Sequence, residues 1–278
     1  MADMNSFRNP PPKTTFTLLS FPTPHVLLVT LNRPEKLNCI NNAGHWELHH
    51  IWEWLDQEPS LRVGIVTGSG RAFCAGADLK EWLSSTKSSS STTASFPPSG
   101  FGGLSRRRGK KPIIAAVNGL AHGGGCEMII NCDIVLASSS AQFALPEVKR
   151  GVAAIAGALP RLTRIVGRQR AMQMALTGRE ITAQQAEQWG LVNAVVEVEG
   201  RVVAKAVEWA KEIAGNSPDS IVVSKEGIKL GWEGIGVEEA TDKLVQGTWR
   251  KVEHGENLRE GIQSFVEKRR PKWVESKL

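Results

Sequence analysis

Apolar and polar positions along the chain alternate between two periods. "TFTLLSF" (15–21) and "HVLLVTL" (25–31) are short apolar runs on either side of the turn-like "PTP", a pattern that predicts a hairpin. In "NAGHWELHHIWEWLDQ" (42–57), Leu48, Ile51, Trp52 and Leu55 fall at i, i+3, i+4 and i+7, the stripe of an amphipathic helix. "RVGIVTG" (62–68) is a strand apolar throughout. "ADLKEWL" (77–83) starts a helix. "KPIIAAVNG" (111–119) and "CDIVLAS" (132–138) are further strands, with a helix between them in "AHGGGCEMIINC". Strands alternating with helices indicate an α/β fold. Beyond residue 150 the helical period dominates. Thr182 and Gln185 sit at capping-box positions, Gly190 at a helix stop, and "GNSPDS" and "HGENL" are breaks.

Two segments depart from this rhythm. Residues 84–109 open on "SSTKSSSSTTASFPPSGFGG", too polar and small to build a core, and read as a mobile loop, either a flap over a site or a tolerated surface insertion. Residues 1–13, "MADMNSFRNPPPK", read as a disordered arm without a signal-peptide apolar run. The expected organisation is therefore an arm over 1–13, a core over 14–204 and a helical region over 205–278.

The chain has 278 residues, enough for a substantial core, and a formal charge of +6. That balance suits a polyanionic partner, either a nucleic acid or a phosphorylated small molecule. No apolar run reaches the ~18 residues of a membrane span. The four cysteines, Cys39, Cys74, Cys126 and Cys132, form no CxxC pair, so reduced thiols are expected and a metal site is not. Ser276-Lys277-Leu278 has the form of a peroxisomal address, which predicts an import receptor as partner and the peroxisomal matrix as location.

Candidate chemistry concentrates in three places. "HGGGCE" (122–127) puts glycines at a helix start, where free backbone amides can face an oxyanion. "GRAFCAGADLKE" (70–81) offers a second set of amides before Asp78. Glu127 and Glu147 are two carboxylates that, if brought together, can hold a water and trade a proton. Read singly, each has a plainer explanation, in packing, helix-dipole stabilisation or surface charge. His45 and His49 lie at i, i+4 without the H-E-x-x-H order, so a helix face is the better reading; His122 reads as a packed or exposed histidine.

The ordered set "LNRPEKLN", "GSGRAFCAGADLKE", "KKPIIAAVNGLAHGGGCEMIINCDIVLAS", "AQFALPEVKRGV", "RLTRIVGRQRAMQMALTGREITAQQAEQWGLVNAVV" and "FVEKRRPKW" resembles the enoyl-CoA hydratase/isomerase (crotonase) family over residues 14–273. The resemblance implies a spiral of ββα units with a C-terminal helical region that drives assembly into a homotrimer or a dimer of trimers. It implies a backbone oxyanion hole at Ala77 and Gly124 for a thioester enolate, with Gly76 and Gly123 among the residues that bind the CoA substrate. A glutamate at both Glu127 and Glu147 resembles the hydratases, which add water to a trans-2-enoyl-CoA, with Glu127 as base and Glu147 as donor to C2. Arg33, Lys36, Ala75, Asp78 and Lys80, with Lys268 and Trp273 from the tail, match positions that border the nucleotide of CoA, which is part of the substrate; no separate cofactor is implied. The main alternative is a Δ3,Δ2-enoyl-CoA isomerase or a specialised acyl-CoA dehydratase, in fatty-acid or secondary metabolism. "GVAAIAGALPRL" departs from the family, with Ala154 at a usual proline and Gly157-Ala158 at a usual Gly-Gly pair, in a segment that shapes the acyl pocket. "RRRGKK" (106–111) raises RNA binding as a rival class, but no RNA-binding motif accompanies it, and a solvated loop end is the better reading.

Overall fold

The computed structural model describes residues 7–87 and 96–278. Among the described residues, ten strands form two sheets. The larger takes β1 (Thr17–Ser20), β2 (Val26–Leu31), β3 (Val63–Gly68), β5 (Ile113–Val117), β7 (Ile134–Ser138) and β10 (Ala194–Val196), in that order. The smaller takes β4 (Ala72–Cys74), β6 (Leu120–His122), β8 (Gln142–Ala144) and β9 (Ile181–Thr182). β1 and β2 form the antiparallel hairpin, β8 and β9 pair antiparallel, and all other pairings are parallel. The helices are α1 (Asn42–Gln57), α2 (Leu79–Lys87), α3 (Gly124–Ile130), α4 (Ala158–Val166), α5 (Arg168–Thr177), α6 (Ala183–Gln188), α7 (Val202–Ala214), α8 (Pro218–Trp232), α9 (Val237–Gln246) and α10 (Glu256–Val266).

The chain repeats one path. A strand in the large sheet leads to a short strand in the small sheet and then to a helix: β3–β4–α2, then β5–β6–α3. The third pass, β7–β8, ends in a 3-10 turn over Pro146–Arg150. β3 and β5 are buried at every position because both faces of the large sheet are covered, which explains their unbroken apolar runs. One face carries α7, whose Val202, Ala206, Ala210 and Ala214 pack on Val26, Val63, Ile65, Ile114 and Leu136. The other carries α1, with Leu48, Ile51, Trp52 and Leu55 at or below 1% exposure, as their spacing predicts.

Three boundaries differ from the sequence reading. The division at 204/205 falls inside α7, which belongs to the core. The arm is packed from residue 7: Phe7 meets Phe21 and Trp54 at ring-centroid distances of 4.8 and 5.4 Å, and the Trp54 indole donates to the Asn9 carbonyl. The 84–109 segment is not one loop. Helix α2 runs to Lys87, residues 88–95 lie outside the described residues, and 96–109 return to the core. There Phe101 and Leu104 are 2% exposed and the Ser105 hydroxyl bridges the Phe101 amide and the Ala156 carbonyl. The three aromatic and leucine side chains that follow the serine run outweigh its polarity. The basic run is likewise more than a solvated end: Arg107 makes two 2.7 Å bonds to Asp56, and buried Lys111 donates to the Glu58 carbonyl.

Candidate active site

Three consecutive strands of the small sheet, β4, β6 and β8, run parallel and end on one side. The segment after each carries one motif: Ala75–Asp78, Gly123–Gly125 and Leu145–Glu147. Topology thus brings together what the sequence separates by seventy residues, at the carboxyl edge of a sheet where α/β folds commonly place ligands.

A parallel bridge joins Ala77 to Ile40: the Ile40 amide donates to the Gly76 carbonyl and the Asp78 amide to the Ile40 carbonyl, both at 3.0 Å. These bonds use the neighbours of Ala77, so its own N–H points to the opposite side. Gly124 is the first residue of α3 and has no acceptor within the helix. A Cβ on Gly76 would lie 3.4 Å from the Gly124 nitrogen, so the two amide-bearing segments are in contact. Gly123 adopts φ +53, in the left-handed region, and a Cβ on Gly124 would fall 2.4 Å from the Phe101 ring; the run of glycines is required by conformation at one position and by space at the next. The α3 N-terminus adds its field to any negative charge held there.

Glu127 lies in the first turn of α3 and is 4% exposed. Burial pushes its carboxyl up to about 7, the Ala158 amide, donating at 3.2 Å, draws it back, and Glu147 raises it further. Glu147, in the 3-10 turn after β8, is also raised by burial, and its Oε2 is sealed without a hydrogen-bond partner. Its Oε1 would lie 3.2 Å from a Cβ on Gly123. Two carboxyls that interact, neither neutralised by a cation, share a site at the mouth of a helix N-terminus. Such a pair, both carboxyls raised by burial, is able to accept one proton and donate another. Ala158, at the variant Gly-Gly position, is thus what holds Glu127 in place.

The expected nucleotide residues divide into two groups. Arg33 is spent internally: it donates to the Cys39 carbonyl at 2.7 Å and pairs with Asp78 at 3.1 Å, bracing the segment that carries Ala77. Lys36 reaches the same carboxylate at 3.6 Å and is half exposed. Burial works to raise Asp78, but the Arg33 bond and the Lys36 charge outweigh it and hold the carboxyl below its usual range. The Ala75 amide is bound to the Leu37 carbonyl, and Lys80 is exposed at the start of α2. Lys268 is exposed with φ +54, and the Trp273 indole donates to the Gly215 carbonyl; no hydrogen bond or ion pair joins either to the Arg33–Lys80 cluster within the protomer. Ser276 and Lys277 bond Asp219 and Glu256, and the Leu278 carbonyl accepts from Lys110.

His122 is packed, with Nε2 3.4 Å from Glu180 across the small sheet, and burial lowers its pKa. His45 is the residue that the sequence left as part of a helix face. It is 2% exposed, and it lines, with Ala77, Asp78, Glu81, Trp82 and Phe96, a cleft of about 30 Å³. No local spacing could have revealed it, because its partners come from residues 96–102.

The model of the family described as "Enoyl-CoA hydratase/isomerase" matches residues 23–276. A "Mevalonyl-coenzyme A hydratase" of Beauveria bassiana is 53% identical over 98% of this chain and 100% of its own. One of Aspergillus fumigatus is 55% identical over 94% and 96%. Among solved structures, an enoyl-CoA hydratase from Mycobacterium marinum superposes with a TM-score of 0.86 at 32% identity, covering 94% of this chain and 99% of that one. The chain belongs to the enoyl-CoA hydratase/isomerase family.

Proposed function

We propose that the protein adds water reversibly across the 2,3 double bond of a branched, hydroxylated acyl-CoA, with mevalonyl-CoA as the hydrated form. The observation that carries hydration is the buried pair Glu127 and Glu147, with the unpartnered Glu147 Oε2 beside the glycine turn. The thioester oxygen would accept from the Ala77 and Gly124 amides. Water held between the carboxyls would lose a proton to one of them as its oxygen bonds C3. The electron pair of the double bond moves into the thioester as an enolate, and the other carboxyl returns a proton to C2. The sum is addition of one water, and the reverse is dehydration of a 3-hydroxyacyl-CoA. Removing an oxyanion donor or a positioned acid/base group typically costs ~10²–10⁴-fold in rate.

Two relatives above 50% identity, both named for mevalonyl-CoA, support this choice of substrate. That name favours a specialised, secondary-metabolic role over general β-oxidation. The exposed Lys36 and Lys80 are better placed than the part-buried Arg33 to meet CoA phosphates, Lys36 by letting go of its longer contact with Asp78. Purified protein given 5-hydroxy-3-methylpent-2-enoyl-CoA should yield a product heavier by one water. Absence of that product, with conversion of a 3-enoyl-CoA to the 2-enoyl isomer instead, would replace this reading with an isomerase.

A further inference from the structure

The cleft at Ala77 has an aromatic wall and one histidine whose state is fixed by geometry. The Gly102 amide donates to His45 Nδ1 at 3.0 Å. An amide can only donate, so Nδ1 is an acceptor and the neutral ring carries its hydrogen on Nε2. Gly102 can deliver this bond because it adopts φ +58 and lies so close to Met128 that a Cβ would overlap the sulfur. The Phe96 and Phe101 rings meet the imidazole edge-on, at 5.0 and 4.4 Å. Burial keeps the ring neutral, lowering its pKa to about 4.

Among the described residues, no group accepts from Nε2. Nor is the atom sealed: among the described residues the sealed polar atoms without partners are Arg107 Nε, His122 Nε2 and Glu147 Oε2. His45 Nε2 therefore touches open space, and the space that His45 lines is the cleft shared with Ala77. A volume of about 30 Å³ is that of one water. A histidine serving only the core would need a partner at each ring nitrogen, and the Gly102 amide answers only Nδ1. The ring's one N–H donor makes no hydrogen bond among the described residues, in a small cleft lined by Ala77, Trp82 and Phe96 and by the polar Asn42, Asp78 and Glu81, and is a recognition element: a buried donor rejects a substrate that cannot answer it.

We propose that His45 is a specificity-determining residue that donates its Nε2–H to a hydroxyl oxygen on the acyl chain. This rests on the acyl-CoA reading above and deepens it by naming the group that selects the substrate. The test compares kcat/KM for 5-hydroxy-3-methylpent-2-enoyl-CoA and for its 5-deoxy counterpart, 3-methylpent-2-enoyl-CoA. The wild-type protein should prefer the hydroxylated substrate at least tenfold. His45→Leu should lower the ratio of the two values about 10–100-fold, and His45→Gln, which keeps a donor, should restore part of it. The ratio comes from one preparation, so loss of folded protein cancels. A proportional loss on both substrates, or an unchanged ratio, overturns the proposal. So does a wild-type preference below threefold, which needs no variant. Hydration of the deoxy substrate alone would sink the His45 assignment and leave the hydratase; hydration of neither would sink both.

Discussion

Ionising Glu127 costs the fold free energy. Its carboxyl is shifted from 4.5 to about 7, which corresponds to about 3 kcal/mol once it is fully charged. Between these values the folded protein holds more protons than the unfolded chain, so this residue's contribution to stability falls as pH rises through that window. Glu127→Gln removes the penalty while keeping an oxygen for the Ala158 amide. Urea unfolding should show the variant gaining on wild type by about 2–3 kcal/mol between pH 5 and pH 8, with hydration reduced ~10²–10⁴-fold. A gap that stays constant with pH would mean that Glu127 is not a buried acid. Both glutamates were legible in the sequence only through the ordered motifs; their spacing alone favoured a surface charge and a helix-dipole contact. His45 was not legible as a site residue, because its meaning comes from the Gly102 amide and two rings brought in by a segment whose serine content looked loop-like.

At the scale of the element, α3 joins stability to chemistry through its first turn. Gly124→Ala forces a Cβ into the Phe101 ring, an overpacking that should cost about 1–3 kcal/mol in chemical unfolding. Hydration should fall further than stability accounts for, because the amide proposed to face the oxyanion moves with the turn; activity kept at the wild-type level would count against that amide. Arg33 braces the segment that carries the other proposed donor, Ala77. Arg33→Ala releases Asp78 and the Cys39 carbonyl, and is expected to lower kcat as well as raise KM; a change in KM alone would return Arg33 to the role of a phosphate contact. Period and caps announced α1, α2, α3 and the Thr182 capping box in the sequence. The two- and three-residue strands of the small sheet did not announce themselves, because so few positions establish no alternation, yet those strands align the three motifs.

Over the whole molecule, the spiral gathers three chain segments at one sheet edge, and the C-terminal helices leave apolar side chains in the open. Ile262, Phe265 and Val266 of α10 are 61%, 85% and 73% exposed, which fits the self-association implied by the family resemblance. Light scattering on the eluted protein should give a mass of three protomers or a multiple of three, and Phe265→Asp should lower it; a monomeric wild type would exclude this assembly. The boundary expected near residue 204 was not legible because α7 looks, in sequence, like the first of the C-terminal helices. Only the packing of its alanine face shows that it closes the large sheet.

The most direct test follows the absorbance of the conjugated enoyl thioester after the protein meets 5-hydroxy-3-methylpent-2-enoyl-CoA, with product mass read alongside. The two-carboxylate site predicts loss of the band and a gain of one water, both abolished in Glu147→Gln. Persistence of the band with wild-type protein, or equal loss with Glu147→Gln, would contradict the account.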